Sequence, residues 1–210
     1  MPDVEHTGFT AAELEQLLAL RPGPSAIAMA TLLMVDTDDD ALLTGAASLL
    51  NRGRARVTPT GGIELVGSAE RVSRILTSAS RWTIFAVSAD DVTGNSFLVE
   101  SPEGKLIAEP RGPGIWWFLL LHPTAAAAQI VSLTALELAR DSDPGHVVVR
   151  TASTTQARSF NIGRTGEAFS FAAGDDDASQ PEISVEYSSD DEVAEHLSEF
   201  ITGWPRPLVQ

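Results

Sequence analysis

The chain has 210 residues, and its 29 acidic side chains outnumber its 14 basic ones to give a formal net charge of −15. This balance argues against a nucleic-acid partner, because such binding depends on clustered lysine and arginine. With no cysteine, disulfides, cysteine-ligated zinc and thiol nucleophiles are excluded, and a hydrophobic fraction of 43% is typical of a folded protein.

The first 80 residues read as a helical lobe with one small hairpin. Its predicted elements are a helix from 10 to 20, an apolar segment over 25–35, a helix over 41–52, a hairpin over 55–66 and a helix capped by Ser68. Thr10 and Glu13 form a capping box, and Gly53 occupies the position of a helix-ending glycine. The apolar segment fits a buried helix or a buried strand, with helix preferred for its alanine-rich start.

From residue 81 the pattern becomes strand-like. Predicted strands cover 82–88, 96–101, 105–109, 115–121, 146–152, 158–163, 167–172 and 182–187, and predicted helices cover 123–140 and 189–203. We therefore predict an α+β fold: a central antiparallel β-sheet with flanking helices and a helical, winged-helix-like N-terminal lobe. No linker separates the helical pattern from the strand-like pattern that follows it. We therefore predict a single domain over 1–210, with the lobe at 10–80 and the sheet with two helices at 81–210.

The run from Ile115 to Leu121 is apolar at every position. Alternate residues of a strand face opposite sides, so such a run predicts a strand that is covered on both faces. The simplest expectation is cover by the chain itself. The alternative is cover of one face by a partner subunit, which would make the protein a homodimer.

Residues that could carry chemistry are scattered. No pair of the four histidines, His6, His122, His146 and His196, has the spacing that places two ligands on one helix face. Asp36, Asp38 and Asp40 resemble the opening of a calcium loop, but Ala41 and Ala47 stand where that loop needs Gly and Glu. We predict no catalytic residue, no metal site and no cofactor, and hence a protein that is not an enzyme.

The aromatic residues are the better candidates for binding. Trp116 and Trp117 are adjacent on a predicted strand and must therefore point to opposite faces. Trp, other aromatics and Arg are enriched at protein interfaces. The predicted partner-binding residues are Phe97, Arg111, Trp116, Trp117 and Trp204.

One stretch resembles a known family. It begins with Leu49-Leu50-Asn51-Arg52-Gly53 and a hairpin, continues with the helix around Val72–Leu76 and the strand opened by Arg81-Trp82, and ends at Gly114-Ile115-Trp116-Trp117. This order, over roughly residues 10–140, resembles the EspG family, cytosolic chaperones of type VII (ESX) secretion in actinobacteria. The resemblance implies a central antiparallel sheet that captures a helical secretion substrate through apolar surface and loops. It carries over no residue-level role.

The expected function is therefore non-enzymatic protein binding, resembling that of a secretion chaperone that shields a helical, partly apolar partner. Two alternatives stay open: a winged-helix regulator that contacts DNA through Arg52, Arg54 and Arg56, and an acidic inhibitor or immunity protein that binds a basic effector. The N-terminus shows no signal-peptide pattern and no apolar run is long enough to span a bilayer. We therefore expect a cytoplasmic protein without a membrane partner.

Overall fold

The computed structural model describes residues 6–35, 38–88, 95–141, 145–153, 156–165, 168–175, 183–187 and 189–202. The chain divides into two compact units, Met1–Ser80 with Val99–Pro123, and Arg81–Leu98 with Thr124–Gln210. Each unit has a hydrophobic core of its own. The grouping of all 210 residues into a single domain stays a prediction.

The first unit contains the whole N-terminal lobe of residues 10–80, in which the described residues form four helices. Its elements are β1 (His6–Thr10), α1 (Ala11–Ala19), α2 (Pro24–Leu32), α3 (Asp39–Asn51), β2 (Ala55–Val57), β3 (Ile63–Leu65), α4 (Ser68–Thr77), β6 (Gly104–Gly112) and β7 (Ile115–Leu120). Helix α1 packs on α2, α3 and α4, and α4 packs on β6. Leu14 and Leu17 of α1, Met29 of α2 and Leu49 of α3 are fully buried in this lobe.

The second unit is a sheet with two helices. Its elements are β4 (Arg81–Ser88), α5 (Ala127–Asp141), β8 (Gly145–Ala152), β9 (Ala157–Thr165), β10 (Ala168–Asp175), β11 (Ile183–Tyr187) and α6 (Asp190–Thr202). Helix α5 packs on α6, β4, β8 and β9, and α6 contacts β10 and β11. Strand β5 (Asn95–Ser101) is divided, with Asn95–Leu98 in this unit and Val99–Ser101 in the first.

The strand order is β1-β7-β6-β5 in the first unit and β5-β4-β8-β9-β10-β11 in the second. The registered pairs, among them β1 with β7 and β6 with β7, are antiparallel. Together with the helices that pack on the strands, this confirms the predicted α+β class with a large antiparallel sheet. The order α3, β2, β3 also gives the N-terminal lobe its winged-helix-like character.

Several local predictions for the lobe can be compared with the structure. Thr10 and Glu13 form the capping box of α1, and Gly53 takes a positive φ of 65° after α3, so both predictions are confirmed. The apolar segment at 25–35 is mainly helix. The capping role given to Ser68 is wrong, because the cap position is Gly67 with a φ of 61° and no side chain closes that helix end.

Strand β1 was not predicted. It has five residues, His-Thr-Gly-Phe-Thr, in which a single large apolar side chain gives too little alternation to indicate a strand. The structure pairs Phe9 with Trp116 and Thr7 with Phe118, and buries all four side chains. Pairing with a long apolar neighbour, rather than local propensity, therefore makes this segment a strand.

Candidate functional site

The two faces of β7 have opposite environments. Trp116, Phe118 and Leu120 point to the core, and Trp116 is only 4% exposed. Ile115 and Trp117 point the other way and are each 44% exposed. The expectation that the chain covers both faces of this apolar run is therefore wrong. Helices α1 and α4 pack on the neighbouring strands, and the outer face around Trp117 has no comparable cover among the described residues of this unit.

Neighbouring strands extend this uncovered face. The register places Gly8 and Glu109 on either side of Trp117, and His6 and Ile107 on either side of Leu119. We call this surface, made of His6, Gly8, Ile107, Glu109, Arg111, Ile115, Trp117 and Leu119, the Trp117 face. All of it belongs to the first unit. Monomeric proteins rarely leave large contiguous apolar patches exposed, and the apolar centre of a binding surface is usually surrounded by a polar rim. The composition of the Trp117 face therefore makes it a candidate binding surface.

The indole of Trp117 is held in place by its neighbours. It lies over Gly8, where a Cβ would come within 3.1 Å of the indole Nε1. The His6 ring is 6.2 Å away, centroid to centroid, and the Arg111 guanidinium lies 5.5 Å from the indole centroid. A large aromatic fixed in this way loses little conformational entropy when a partner covers it.

A bulge directs Arg111 toward this tryptophan. The β6–β7 register shifts between Pro110 and Gly112, which leaves Arg111 as the extra residue of the bulged strand. Bulges turn side chains away from their regular direction. Arg111 also forms an ion pair with Glu109, and because both groups are about half exposed the pair contributes little to stability. The pair instead sets a charged border beside the indole.

The free edge of β1, next to this face, is closed by side chains. The Gly8 carbonyl accepts hydrogen bonds from the guanidinium groups of Arg52, at 3.1 Å, and Arg54. The Thr10 amide donates to the Glu13 carboxylate at 3.0 Å. Edge strands offer unpaired backbone groups to other chains, and proteins block them with charged side chains. These contacts therefore obstruct the addition of a partner strand to β1.

Glu13 is the centre of this closure. Its side chain is fully buried and accepts hydrogen bonds from Ser48 at 2.8 Å and from Arg52 at 2.7 and 2.9 Å. Burial raises the pKa of the Glu13 carboxyl, but the hydrogen bonds from the Thr10 amide, Ser48 and Arg52 outweigh it, so the pKa lies below its ordinary value. Glu13 is therefore a structural anion that remains ionised near neutral pH.

A glycine makes the approach of α3 to α1 possible. A Cβ at Gly45 would lie 2.0 Å from the carbonyl oxygen of Ala12, which no side chain could tolerate. Because α3 lies this close to α1, Ser48 and Arg52, both C-terminal to Gly45 on α3 or at its end, reach Glu13.

The same contacts bear on the DNA-binding alternative. Arg52 and Arg54 are bound to Glu13 and Gly8, and the Arg54 guanidinium also lies 4.4 Å from the centroid of the Phe9 ring. Arg56 pairs with Glu64 at 2.8 Å. DNA recognition by a winged helix needs arginines that are available to phosphates and base edges. All three candidate arginines are engaged by the chain itself.

The structure separates the five predicted binding residues. Trp117 and Arg111 are exposed and adjacent, whereas Trp116 and Phe97 are buried, so we leave those two out of the proposed surface. Trp204 lies outside the described residues. Sequence reasoning missed the other six residues of the Trp117 face, which are His6, Gly8, Ile107, Glu109, Ile115 and Leu119. Ile115 could have been found from its odd-numbered parity with Trp117, but Gly8 and His6 join the face only through the strand that was not predicted.

The described residues also bear on metal binding and on membrane spanning. Within those ranges, no group of three or more histidine and carboxylate side chains is placed to hold a metal ion. Likewise, the described helices include none with the length and apolar character needed to cross a membrane.

The chain was compared with known proteins by sequence and by structure. No protein-family model matches it, and no curated protein sequence matches it. A solved structure is similar: that of the Mycobacterium tuberculosis type VII secretion system chaperone EspG5 in complex with a PE25–PPE41 dimer, with a TM-score of 0.57 and 10% sequence identity. The match covers 96% of this chain and 97% of that chain. The resemblance to EspG is thus confirmed at the level of the fold.

Proposed function

We propose that this protein is a non-enzymatic, secretion-chaperone-like binding protein that shields a helical, partly apolar protein partner on its Trp117 face. The observation that carries the proposal is the uncovered strand face, with an indole fixed over Gly8 and 44% exposed. The fold is shared with EspG5, which was solved as a chaperone with a bound protein dimer. A common fold permits a common role, but the site has to supply the argument.

The Trp117 face has the parts of a binding hot spot. Trp and Arg are the residues most enriched among hot spots, and they act best when a polar rim excludes water around them. Here Trp117 and Ile115 supply apolar surface, and Arg111 with Glu109 supplies a charged border. A partner that presents apolar side chains next to polar ones would fit this surface.

The closed edge of β1 supports a helix as the partner's contacting element. A partner strand would need the Gly8 carbonyl and the Thr10 amide, and both are already hydrogen-bonded within the chain. A helix needs no backbone hydrogen bonds from its receptor and contacts it through side chains at i, i+3, i+4 and i+7. Such a partner would be bound before export, which places the proposed activity in the cytoplasm.

The proposal is tested with matched substitutions. Trp117→Gln removes the indole from the Trp117 face, and Leu133→Gln changes an equally prominent apolar residue on α5, 58% exposed, in the second unit. Tagged wild-type and variant proteins are used to capture partners from the native host, and a partner recovered with the wild type is then purified and its affinity measured. We expect the first variant to lose at least about 30-fold in affinity and the second to bind as the wild type does.

Several results would count against the proposal. They are equal affinity of the wild type and Trp117→Gln for the recovered partner, loss caused by Leu133→Gln alone, and recovery of nucleic acid that is released by salt. A shift of the wild type, but not of Trp117→Gln, to a dimer in sedimentation would assign the face to a second copy of the chain and would also contradict it.

A further inference from the structure

A cavity of about 370 Å³ opens in the first unit where α4 meets the start of β6 and the end of β7. Its apolar surface comes from Ile75 and Leu120, which are buried, and from Pro123. This volume lies at the lower end of the range for ligand sites, roughly 300–1,000 Å³, which combine apolar surface with a few convergent polar groups. The cavity is large enough for a side chain with one charged group.

The side chains that line this cavity carry a net positive charge, whereas the whole chain is negatively charged. Arg71, Arg74 and Lys105 line it together with Glu70 and Glu103. Cations thus outnumber anions here, whereas the whole chain carries 29 acidic residues against 14 basic ones. A local excess of cations on a strongly acidic protein favours an anionic group at this place.

The two glutamates share one arginine. The Arg74 guanidinium lies 3.1 Å from the Glu70 carboxylate and 3.5 Å from the Glu103 carboxylate. Both glutamates are therefore paired with Arg74, and the three cations and two anions that line the cavity leave a net charge of +1.

Lys105 is the cation left without a counter-charge in this part of the chain. It is the chain's single lysine, it is half-buried, and its ammonium donates to the Pro123 carbonyl at 3.3 Å. Over the described ranges that neutral oxygen is its hydrogen-bond partner, and no carboxylate pairs with it. An ammonium has three donors, so two remain for a ligand.

We infer that this cavity binds a carboxylate attached to a small apolar group. The Lys105 ammonium takes the carboxylate, and Ile75 and Leu120 contact the apolar group. The C-terminus of a peptide that ends in an aliphatic residue has this chemistry, and so does a free aliphatic acid. The Trp117 indole does not reach this cavity, because Trp117 pairs with Glu109, which is four residues from Lys105 along β6, about 13 Å in an extended strand.

The probes are N-acetyl-leucine, which carries a carboxylate beside an isobutyl group, and N-acetyl-leucinamide, which has the same body without the charge. Each is titrated into the isotope-labelled protein while the amide signals of Gly104 and Lys105 are followed by NMR. We expect a saturable shift with the acid and binding at least about tenfold weaker with the amide. Equal binding of both probes, or no saturable shift with the acid, would overturn the inference.

Two substitutions show whether the ammonium is responsible. Lys105→Met keeps most of the aliphatic stem and should weaken binding of N-acetyl-leucine by at least about fivefold, whereas Lys105→Arg should retain it within about threefold. Unchanged signals elsewhere in the spectrum would show that both variants are folded. Binding by Lys105→Met as tight as that of the wild type would also overturn the inference.

A third probe separates the two sources. Isocaproate has the apolar group and the carboxylate but no amide, so tighter binding of N-acetyl-leucine would identify a peptide terminus, and equal binding would identify a free acid. Trp117→Gln should leave all three titrations unchanged, so a failure of the proposed function would not be mistaken for a failure of this site.

Discussion

The free edge of β1 and the outer face of β7 lie side by side in the first unit and differ in their exposure. The backbone groups of the edge are bound by side chains, whereas the apolar side chains of the face are exposed. At the edge, Arg52, Arg54 and Glu13 bind the backbone groups of Gly8 and Thr10. On the face, Ile115 and Trp117 remain exposed. The chain has only 14 basic residues, and two of them are committed to closing one short strand edge.

This difference determines which kind of contact with another chain each region permits. An open strand edge would pair with many chains, because backbone hydrogen bonds do not depend on side chains. An open side-chain face recognises only a surface of matching shape and polarity. The closed edge therefore disfavours strand addition, and the open face leaves side-chain contact as the way in which another chain could bind here.

Substitution of Gly45 should break the closed edge most severely. In Gly45→Val the new Cβ would meet the Ala12 carbonyl, so α3 has to move away from α1 and carry Ser48 and Arg52 away from Glu13. We expect a loss of about 3–5 kcal/mol in the free energy of unfolding, measured by urea denaturation. The control is Ala47→Val at an exposed position of α3, which should cost less than about 1 kcal/mol. Equal unfolding midpoints for the two variants would contradict the close approach of the helices.

Glu13→Gln should have the next largest effect. It removes the charge that Arg52 and the Thr10 amide require, and leaves Arg52 without its buried counter-ion. The expected loss is about 2–3 kcal/mol, below that for a fully buried pair because Arg52 is itself 42% exposed. Glu195→Gln on the exposed surface of α6 is the control and should change stability by less than about 0.5 kcal/mol.

The acid sensitivity of stability should report on the same carboxylate. Its pKa is lower in the folded protein than its ordinary value of 4.5, so the folded state gains stability from Glu13 above that pH and loses it as the pH falls through the lower folded pKa. Unfolding free energies measured from neutral pH down to about pH 3 should fall less steeply in Glu13→Gln than in the wild type. Parallel curves would show that Glu13 does not titrate as the contacts require.

Trp117→Gln changes the exposed face and leaves the closed edge of β1 intact. Because the indole is already 44% exposed, its loss should change the free energy of unfolding by no more than about 1 kcal/mol, while affinity for the partner falls by about 2 kcal/mol or more. Calorimetry of unfolding and of binding on the same samples separates the two effects. A variant that is strongly destabilised, with affinity unchanged per folded molecule, would make Trp117 a structural residue.

Gly8→Ala should have the smallest effect. The added methyl group would lie 3.1 Å from the indole Nε1 and displace the ring of Trp117 by a few tenths of an ångström. We expect a loss of affinity of about 1 kcal/mol, because the anchor is no longer fixed before binding. Gly23→Ala, where no heavy atom lies within 4 Å of the new Cβ, should bind as the wild type does. A Gly8→Ala protein with wild-type affinity would show that the position of the ring is not critical.

Local chemistry made much of the fold predictable. The capping box at Thr10, the glycine after α3 and the turn between β2 and β3 depend on residues within a few positions of one another, and the sequence displays them directly. The opposite orientations of Trp116 and Trp117 also follow from strand geometry alone. These are cases in which one short segment dictates its own conformation.

The rest depends on which segments meet. Strand β1 forms because it pairs with β7, so its five mostly polar residues do not predict a strand by themselves. Whether the outer face of β7 is covered is likewise decided by elements far apart in sequence. The arginines at 52 and 54 looked available to DNA because the sequence does not show that Glu13 and the Gly8 carbonyl lie beside them.

Site-specific photo-crosslinking in the native host shows whether a partner binds on the Trp117 face. A benzophenone amino acid is placed at position 117 in one variant and at position 133, on exposed α5, in another. We predict a discrete adduct with one protein from position 117, attached to a helical segment of that protein, and none from position 133. The same adduct from both positions, or a discrete adduct from position 133 alone, would contradict the assignment.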